Sequence, residues 1–180
     1  QYLPKLLEED VSVAAVRGLA TDEAAKSAAV RLRVPLVVPV DNDDDFRNAA
    51  ELHQQGLQVL VENVAGTAKW YEQKYQSFKP TPGLAFNPRR FAAEGEKPFL
   101  EVFYHGPLRR FVRHFYIEDG TAGGIPTLPG RGNGEVKEII SMLRCRSFSG
   151  TLTIRASASG AACFREAASG QFPTAQEVRE

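Results

Sequence analysis

The sequence predicts an α/β fold in which parallel strands alternate with helices. Short apolar runs rich in β-branched residues recur at fairly regular intervals, and segments with helical spacing lie between them. Such alternation is typical of βα units on a parallel sheet. The six predicted strands are VSVAAVRG (11–18), VPLVVPV (34–40), LQVLVENV (57–64), GLAFNP (83–88), RHFYIED (113–119) and GTLTIRA (150–156).

The composition is that of an ordinary globular domain. With 180 residues, 43% of them hydrophobic and 24% charged, the chain is long enough for one domain with a real core. A formal net charge of zero argues against broad nucleic-acid binding, which depends on Lys and Arg that neutralise phosphates. No apolar run reaches the roughly 20 residues that a membrane helix needs. Cys145 and Cys163 are not spaced as a metal-binding pair, which favours thiols in a reducing, cytoplasmic location.

Helix signals follow the first two strands. Thr21 is the predicted N-cap of the first helix, and Asp22 and Glu23 then lie in its first turn, where carboxylates suit the helix dipole. The segment DNDDDFRNAAELHQQG (41–56) predicts a second helix, with capping Asp and Asn residues at its start and Gly56 as its stop signal. The acidic residues at the start of this segment are interpreted as a solvated helix start rather than a metal site.

Apolar spacing defines the buried faces of these helices and predicts a further one. The residues at helical spacing are Ala24, Ala25, Ala28 and Ala29 in the first helix, Phe46, Ala49 and Ala50 in the second, and Val136, Ile139, Ile140 and Leu143 in EVKEIISML. The stretch GEKPFLEVFYHGPLRRFV (95–112) is predicted to be helical with a break near Gly106 and Pro107. His53 and His105 are interpreted as helix-surface or helix-end residues rather than ligands.

A glycine-rich loop follows the fifth predicted strand. In RHFYIEDGTAGGIPTLPGRGNG (113–134), Glu118 and Asp119 precede a segment with six glycines. The last three glycines are spaced G-x-G-x-G, which is not the dinucleotide fingerprint, and no Walker lysine follows them. The loop is therefore not predicted to bind a nucleotide. Its glycine content predicts that residues 120–134 form the most mobile ordered loop and cover a binding site.

An ordered set of short motifs carries a resemblance to a known superfamily. The motifs, in chain order, are LVENV, LAFNPRRF, FYIEDG, LPGRGNGEVKEIISML and GTLTIRA. From about residue 11 to about residue 168, this order resembles that of xylose-isomerase-like TIM barrels, and in particular the sugar phosphate isomerase/epimerase group. The resemblance implies a single barrel domain over residues 1–180 with about six of the eight βα units, and a site at the C-terminal ends of the strands.

The resemblance also implies a metal site, but this sequence departs from the usual ligands. Members of the superfamily typically hold one divalent metal with Glu, Asp, His and Glu, and the metal assists proton abstraction beside a carbonyl. The matching positions here are Glu62, Asn87, Tyr116 and Arg155. Tyr, with an unperturbed pKa of about 10, rarely binds a divalent metal at neutral pH, and Arg is a permanent cation. We therefore expect no metal. An altered site holding Mn, Mg, Co or Zn, shifted one layer deeper onto His114, is the alternative.

Six residues make up the predicted site. The expected catalytic residue is Glu62, and the expected ligand-binding residues are Asn87, Tyr116, Glu118, Arg131 and Arg155. Strand periodicity gives independent support, because Thr151, Thr153 and Arg155 share one face of TLTIR while the apolar residues between them need the helix-covered face. We therefore predict that Arg155 and Glu62 approach each other across the barrel mouth. The alternative places Arg155 on the rim, where it reaches solvent.

The length of the chain raises a further expectation. A complete barrel needs about 250 residues, so the first two βα units are absent from this sequence, and six strands leave two exposed parallel edges. Either an N-terminal part precedes Gln1, or a partner covers the gap, with a homo-oligomer left open.

Several functions are compatible with these observations. The favoured one is a degenerate barrel that binds a small sugar or polyol without a metal. The alternatives are an active metal-dependent sugar isomerase or epimerase with altered ligands, and a non-catalytic structural or interaction barrel. An endonuclease-IV-like nuclease would need a cluster of metal ligands that three histidines hardly supply. Neither nucleic acid nor a membrane is an expected partner. At the level of the fold, an open doubly wound sheet is the alternative.

Overall fold

Six parallel strands form one sheet that curls into a half-barrel. The computed structural model describes residues 12–155, so Cys163 and the end of the last motif lie outside the described part of the chain. The strands of this sheet, in spatial as well as chain order, are β1 (Val16–Arg17), β2 (Leu36–Val40), β3 (Val59–Asn63), β4 (Gly83–Phe86), β5 (Val112–Ile117) and β8 (Thr151–Ile154). Every neighbouring pair is parallel, which confirms the predicted strands.

The order of the strands decides between the two predicted folds. Strand order follows chain order from one edge of the sheet to the other, whereas a doubly wound sheet reverses direction at a switch point. The chain therefore has the winding of a TIM barrel. The residues of β1 that pair in the sheet are fewer than the predicted run 11–18, and residue 11 lies outside the described range.

Helices connect the strands as predicted, with one correction at a cap. The helical segments are α1 (Glu23–Leu32), α2 (Asp43–Gln54), α3 (Ala68–Ser77), α4 (Pro88–Ala93), a π-helix (Pro98–Tyr104), a 3-10 helix (Pro107–Phe111) and α5 (Val136–Cys145). The predicted cap Thr21 is wrong by one residue, because the carboxylate of Asp22 accepts from the amide of Ala25. Asn42 caps α2, and the acidic residues behind it are largely solvated, as expected.

The two faces of the sheet bury different residues because side chains alternate along each strand. The outer face packs against the helices, where Phe46, Ala49 and Ala50 of α2 are fully buried, as predicted. Burial of a side chain such as Phe46 contributes about 2 kcal/mol. The inner face carries a smaller apolar cluster formed by Val37, Leu60, Ala85 and Tyr116. Polar side chains lie above this cluster, towards the C-terminal ends of the strands.

The glycine-rich loop contains structure that the sequence did not predict. Residues Asp119–Gly120 (β6) and Pro126–Thr127 (β7) pair as a short antiparallel ribbon. The amide of Thr121 donates to the carbonyl oxygen of Ile125 at 2.9 Å and closes the turn of this ribbon. The ribbon lies immediately beyond the end of β5, at the end of the sheet where a barrel site is expected. Within residues 12–155, no helix is long and apolar enough to cross a membrane.

Candidate functional site

The C-terminal ends of β3, β4, β5 and β8 bring four of the six predicted site residues into direct contact. Arg155 donates to Glu62 at 2.7 Å and lies 3.7 Å from Glu118, and Asn87 donates to Glu118 at 2.8 Å. We call these four residues, together with Tyr116, Arg17 and Arg89, the mouth cluster. The predicted approach of Arg155 to Glu62 is confirmed. The side chain of Arg155 is also 33% exposed, so the alternative of a rim residue that reaches solvent is correct in part.

Glu62 is the buried centre of the mouth cluster. It is fully buried, and each of its two carboxylate oxygens accepts from a different guanidinium. One partner is Arg155 and the other is Arg17, whose Nε lies 2.6 Å from Oε2 of Glu62. Arg17 was not a predicted site residue. The only sequence signal for it is its place at the C-terminal end of the first strand, which is where a parallel barrel gathers functional side chains.

Glu118 is the second carboxylate of the cluster and is also well buried. Its Oε2 accepts from the side-chain amide of Asn87, and its Oε1 accepts from the guanidinium of Arg89. Arg89 was also missed by the sequence analysis. Arg89 donates in addition to the backbone carbonyl of Gly124 at 2.9 Å. Arg89 therefore links the site to the glycine-rich loop. The only sequence feature that could have indicated Arg89 as a site residue is its position two residues after Asn87, in NPRRF.

Asn87 is fixed by a reciprocal contact with the neighbouring strand. The side chain of Asn63 accepts from the backbone amide of Asn87 at 2.7 Å and donates to its carbonyl oxygen at 2.9 Å. The side-chain oxygen of Asn87 is buried and, within residues 12–155, has no hydrogen-bond partner. Since buried polar atoms are normally paired, this unpaired acceptor is an exception among the groups of the mouth cluster.

Tyr116 and His114 line the barrel interior in successive layers. The guanidinium carbon of Arg155 lies 4.1 Å from the centroid of the Tyr116 ring, and burial raises the pKa of Tyr116 to about 12. His114 lies one layer deeper, paired with Thr151, and its ring centroid is 4.7 Å from that of Tyr116. Burial lowers the pKa of His114, so the ring is neutral at neutral pH. Neither ring nitrogen has a hydrogen-bond partner in the described part of the chain.

The donor set of the mouth does not fit a divalent metal. One nitrogen of Arg155 contacts Glu62 and approaches Glu118, so a permanent cation already lies between the two carboxylates. A divalent ion would have to displace this guanidinium and would be repelled by Arg17 as well. Among residues 12–155, no group of three or more His, Cys, Asp or Glu is placed to hold a metal ion. The alternative metal site, shifted one layer deeper onto His114, therefore has no set of neighbouring ligands within residues 12–155 to support it.

Asp119, the neighbour of Glu118, organises the loop instead of the site. Its buried carboxylate accepts from the backbone amides of Gly120, Gly130, Gly132 and Gly134 at 2.8–3.0 Å. Gly132 has no room for a side chain, because an added Cβ would lie 2.4 Å from the carbonyl oxygen of Gly120. The glycines therefore allow amides to converge on one carboxylate. These contacts favour a fixed conformation, in contrast to the predicted mobile loop.

Arg131 is not brought into the mouth cluster. It is exposed on the glycine-rich loop, and its side chain has no hydrogen bond within residues 12–155. Its predicted role in ligand binding stays a prediction. The far end of the loop is anchored by Glu135, whose carboxylate accepts from the amides of Phe99 and Leu100 at the start of the π-helix.

A separate cavity lies at the opposite end of the strands. It has a volume of about 480 Å³ and is lined by residues such as His53, Gln58, Arg113 and Thr151 near the N-terminal ends of the strands. In TIM barrels, that end serves stability, and the reactive groups lie at the C-terminal end. The cavity contains no residue of the mouth cluster. It is therefore not part of the candidate site.

The described residues have the fold of a partial TIM barrel, and at its mouth Arg17 and Arg155 contact the buried carboxylate of Glu62. Two solved structures share this fold. A xylose isomerase domain protein from Planctomyces limnophilus matches with a TM-score of 0.70 and 14% identity, over 94% of this chain and 81% of that chain. A D-tagatose 3-epimerase-like protein matches with a TM-score of 0.63 and 15% identity, over 94% of this chain and 80% of that chain. No protein-family model and no curated protein matches the sequence. Identities this low show the fold alone.

Proposed function

We propose that the mouth of this barrel binds a small sugar or polyol without a divalent metal. The observation that carries the proposal is the position of Arg155, whose guanidinium joins Glu62 and approaches Glu118. In a metal-dependent isomerase, a divalent cation is held by carboxylates and polarises the oxygens of the sugar. Here the guanidinium of Arg155 lies between the two carboxylates, so the negative charge of Glu62 has cationic partners before any ligand enters.

The remaining groups of the mouth suit hydroxyl groups. A sugar hydroxyl both donates and accepts, and the mouth contains guanidinium donors, carboxylate acceptors and the side-chain oxygen of Asn87, which has no partner among residues 12–155. These groups are fixed by mutual hydrogen bonds, which lowers the entropic cost of arranging them around a ligand. The carboxylates themselves are engaged with arginine or amide donors, so proton abstraction by two opposed bases is not supported. Binding is therefore favoured over epimerisation.

The proposal can be tested by calorimetry on protein treated with EDTA. A panel of neutral sugars and polyols, including D-glucitol, xylitol and D-tagatose, is titrated with and without added Mn²⁺. We expect at least one of them to bind in EDTA, with an affinity that added Mn²⁺ leaves unchanged. Binding or isomerisation that appears only with Mn²⁺ or Co²⁺ would support the metal-dependent isomerase instead, and binding of no compound in either condition would reject a neutral sugar or polyol as the ligand.

Two variants locate any observed binding. Glu118→Gln keeps the shape of the side chain but can no longer accept from both Asn87 and Arg89, so we expect affinity to fall about tenfold, or about 1.4 kcal/mol. The matched control is Asp44→Asn, the same chemical change at an exposed position of α2. Equal affinity in both variants would place the binding site elsewhere.

A further inference from the structure

We infer that the ligand of the mouth carries a negative charge, as a sugar derivative with a carboxylate or phosphate group bound by Arg17 and Arg155. The inference rests on the proposed function and adds the chemical class of the ligand. It follows from two independent observations, the charge of the mouth cluster and the unused donors of two guanidinium groups.

The mouth cluster has more positive than negative charge. Ion pairs connect three arginines to two carboxylates: Arg17 and Arg155 to Glu62, and Arg89 and Arg155 to Glu118. Within residues 12–155, no further acidic side chain forms an ion pair with these arginines. Each arginine therefore contacts a carboxylate, but three positive and two negative charges leave these five residues with a formal net charge of +1, and the two carboxylates are buried. An anion would balance this charge, whereas a neutral polyol would not.

The unused donors belong to Arg17 and Arg155. Only Nε of Arg17 and only Nη1 of Arg155 have hydrogen-bond partners in the described part of the chain. The side chain of Arg17 is 50% exposed and that of Arg155 is 33% exposed, so their remaining N–H groups are accessible from the mouth. Arg89 differs from them, because it is 16% exposed and divides its terminal nitrogens between Glu118 and the carbonyl of Gly124.

The two accessible guanidinium groups are placed next to each other. They bind the two different oxygens of the same Glu62 carboxylate, so Glu62 holds both side chains in one arrangement. A guanidinium presents five N–H donors in a rigid planar fork that matches carboxylate and phosphate oxygens. Hydrogen bonds between such ionised partners are roughly twice as strong as bonds between neutral groups. A carboxylate or phosphate at this position would therefore be bound more tightly than a hydroxyl group.

The test compares three ligands with one carbon skeleton: D-glucitol, D-gluconate and D-glucitol 6-phosphate. Calorimetry is performed in EDTA at pH 7 and constant ionic strength. We expect at least one of the two anions to bind about tenfold or more tightly than D-glucitol, and added salt to weaken the anion more than the neutral polyol. The tighter of the two anions identifies carboxylate or phosphate as the recognised group.

A variant of Arg17 assigns the effect to this site. Arg17→Met should weaken the preferred anion about tenfold and weaken D-glucitol by a clearly smaller factor, because a hydroxyl group loses only a hydrogen bond to a guanidinium whereas the anion also loses a charge partner. The matched control is Arg47→Met, since Arg47 is 55% exposed and also pairs with a single carboxylate. If Arg17→Met does not fold, Arg17→Lys replaces it, which keeps the charge but removes the fork and should weaken the anion by a smaller factor.

The outcomes separate the two proposals. Equal affinity for all three ligands, unchanged by the Arg17 variant, would overturn the anionic ligand and leave the metal-free sugar site intact. Binding of none of the three ligands would overturn the sugar site and the anionic ligand with it. Preference for an anion that persists in Arg17→Met but disappears in Arg47→Met would overturn the assignment to this mouth.

Discussion

Replacing Asp119 with asparagine should lower the free energy of unfolding by about 3 kcal/mol. In the structure, Oδ1 accepts from the amides of Gly120 and Gly134, and Oδ2 accepts from those of Gly130 and Gly132. An asparagine presents an NH₂ group on one side in either orientation, so it loses two hydrogen bonds and directs donors at two amides. Hydrogen bonds to a charged acceptor contribute about 1.5–3 kcal/mol each, so the loss of two costs about 3–6 kcal/mol. Because the loop can relax in part, we expect a loss of stability at the lower end of this range, about 3 kcal/mol.

Urea unfolding at pH 7 measures this change, and amide exchange locates it. We expect the unfolding midpoint to fall with an unchanged slope, and the amides of Gly130, Gly132 and Gly134 to exchange faster than in the parent protein. Asp44→Asn is the control, because Asp44 is exposed and, in the described part of the chain, pairs with Arg47 alone, so its change should remain within about 0.5 kcal/mol.

The reasoning would be refuted by a stability of Asp119→Asn within 0.5 kcal/mol of the parent. It would also be refuted if the three glycine amides exchanged rapidly in the parent protein. Rapid exchange would mean that the loop is mobile, as its glycine content alone predicts, and that the carboxylate does not hold it in solution.

Three further predictions concern the loop and the mouth. Gly132→Ala should destabilise by about 1–3 kcal/mol, because its Cβ would lie 2.4 Å from a backbone oxygen. Gly123→Ala should be nearly neutral in urea unfolding, because its Cβ would lie 3.8 Å from the hydroxyl of Thr121, an ordinary contact distance. Burial favours the neutral form of Tyr116, so its contribution to the free energy of unfolding should be complete below about pH 10 and lost between about pH 10 and 12. In Tyr116→Phe, the free energy of unfolding should therefore fall less steeply over this pH range than in the parent protein. The control Tyr104→Phe, at an exposed position, should leave the pH dependence unchanged. Arg155→Glu combined with Asn87→Asp and Tyr116→His should create Mn²⁺ or Co²⁺ binding in calorimetry, with the parent as control; no binding would contradict the interpretation of Arg155 as a replacement for the metal.

Local patterns predicted most of the secondary structure because they depend on neighbouring residues. The alternation of strands and helices gave the six parallel strands, and helical spacing gave the buried face of α2. The cap of α1 was misplaced by one residue, since Thr21 and Asp22 are both good caps and only the backbone conformation selects Asp22. Strand periodicity placed Arg155 on the inner face, because successive side chains point to opposite sides.

The partners of the buried charges could not be predicted in the same way. Arg17 is 45 residues from Glu62 in the chain, and the local sequence around either residue does not indicate the other. Arg155 and Glu62 are 93 residues apart, and their pairing was predicted only because the resemblance placed both at one barrel mouth. Arg89 was missed because its role depends on Glu118 and the carbonyl of Gly124, which meet only in the folded chain.

The sequence by itself determined the alternation of strands and helices and the inward face of the last strand. Tertiary structure alone decided what the adjacent carboxylates Glu118 and Asp119 do. The sequence presents them as a pair at the start of a glycine-rich loop, but Glu118 pairs with Asn87 and Arg89 inside the mouth, while Asp119 binds four loop amides. The physical reason is that neighbouring side chains of an extended chain point in opposite directions, and each carboxylate is then stabilised by whichever donors the fold places on its side.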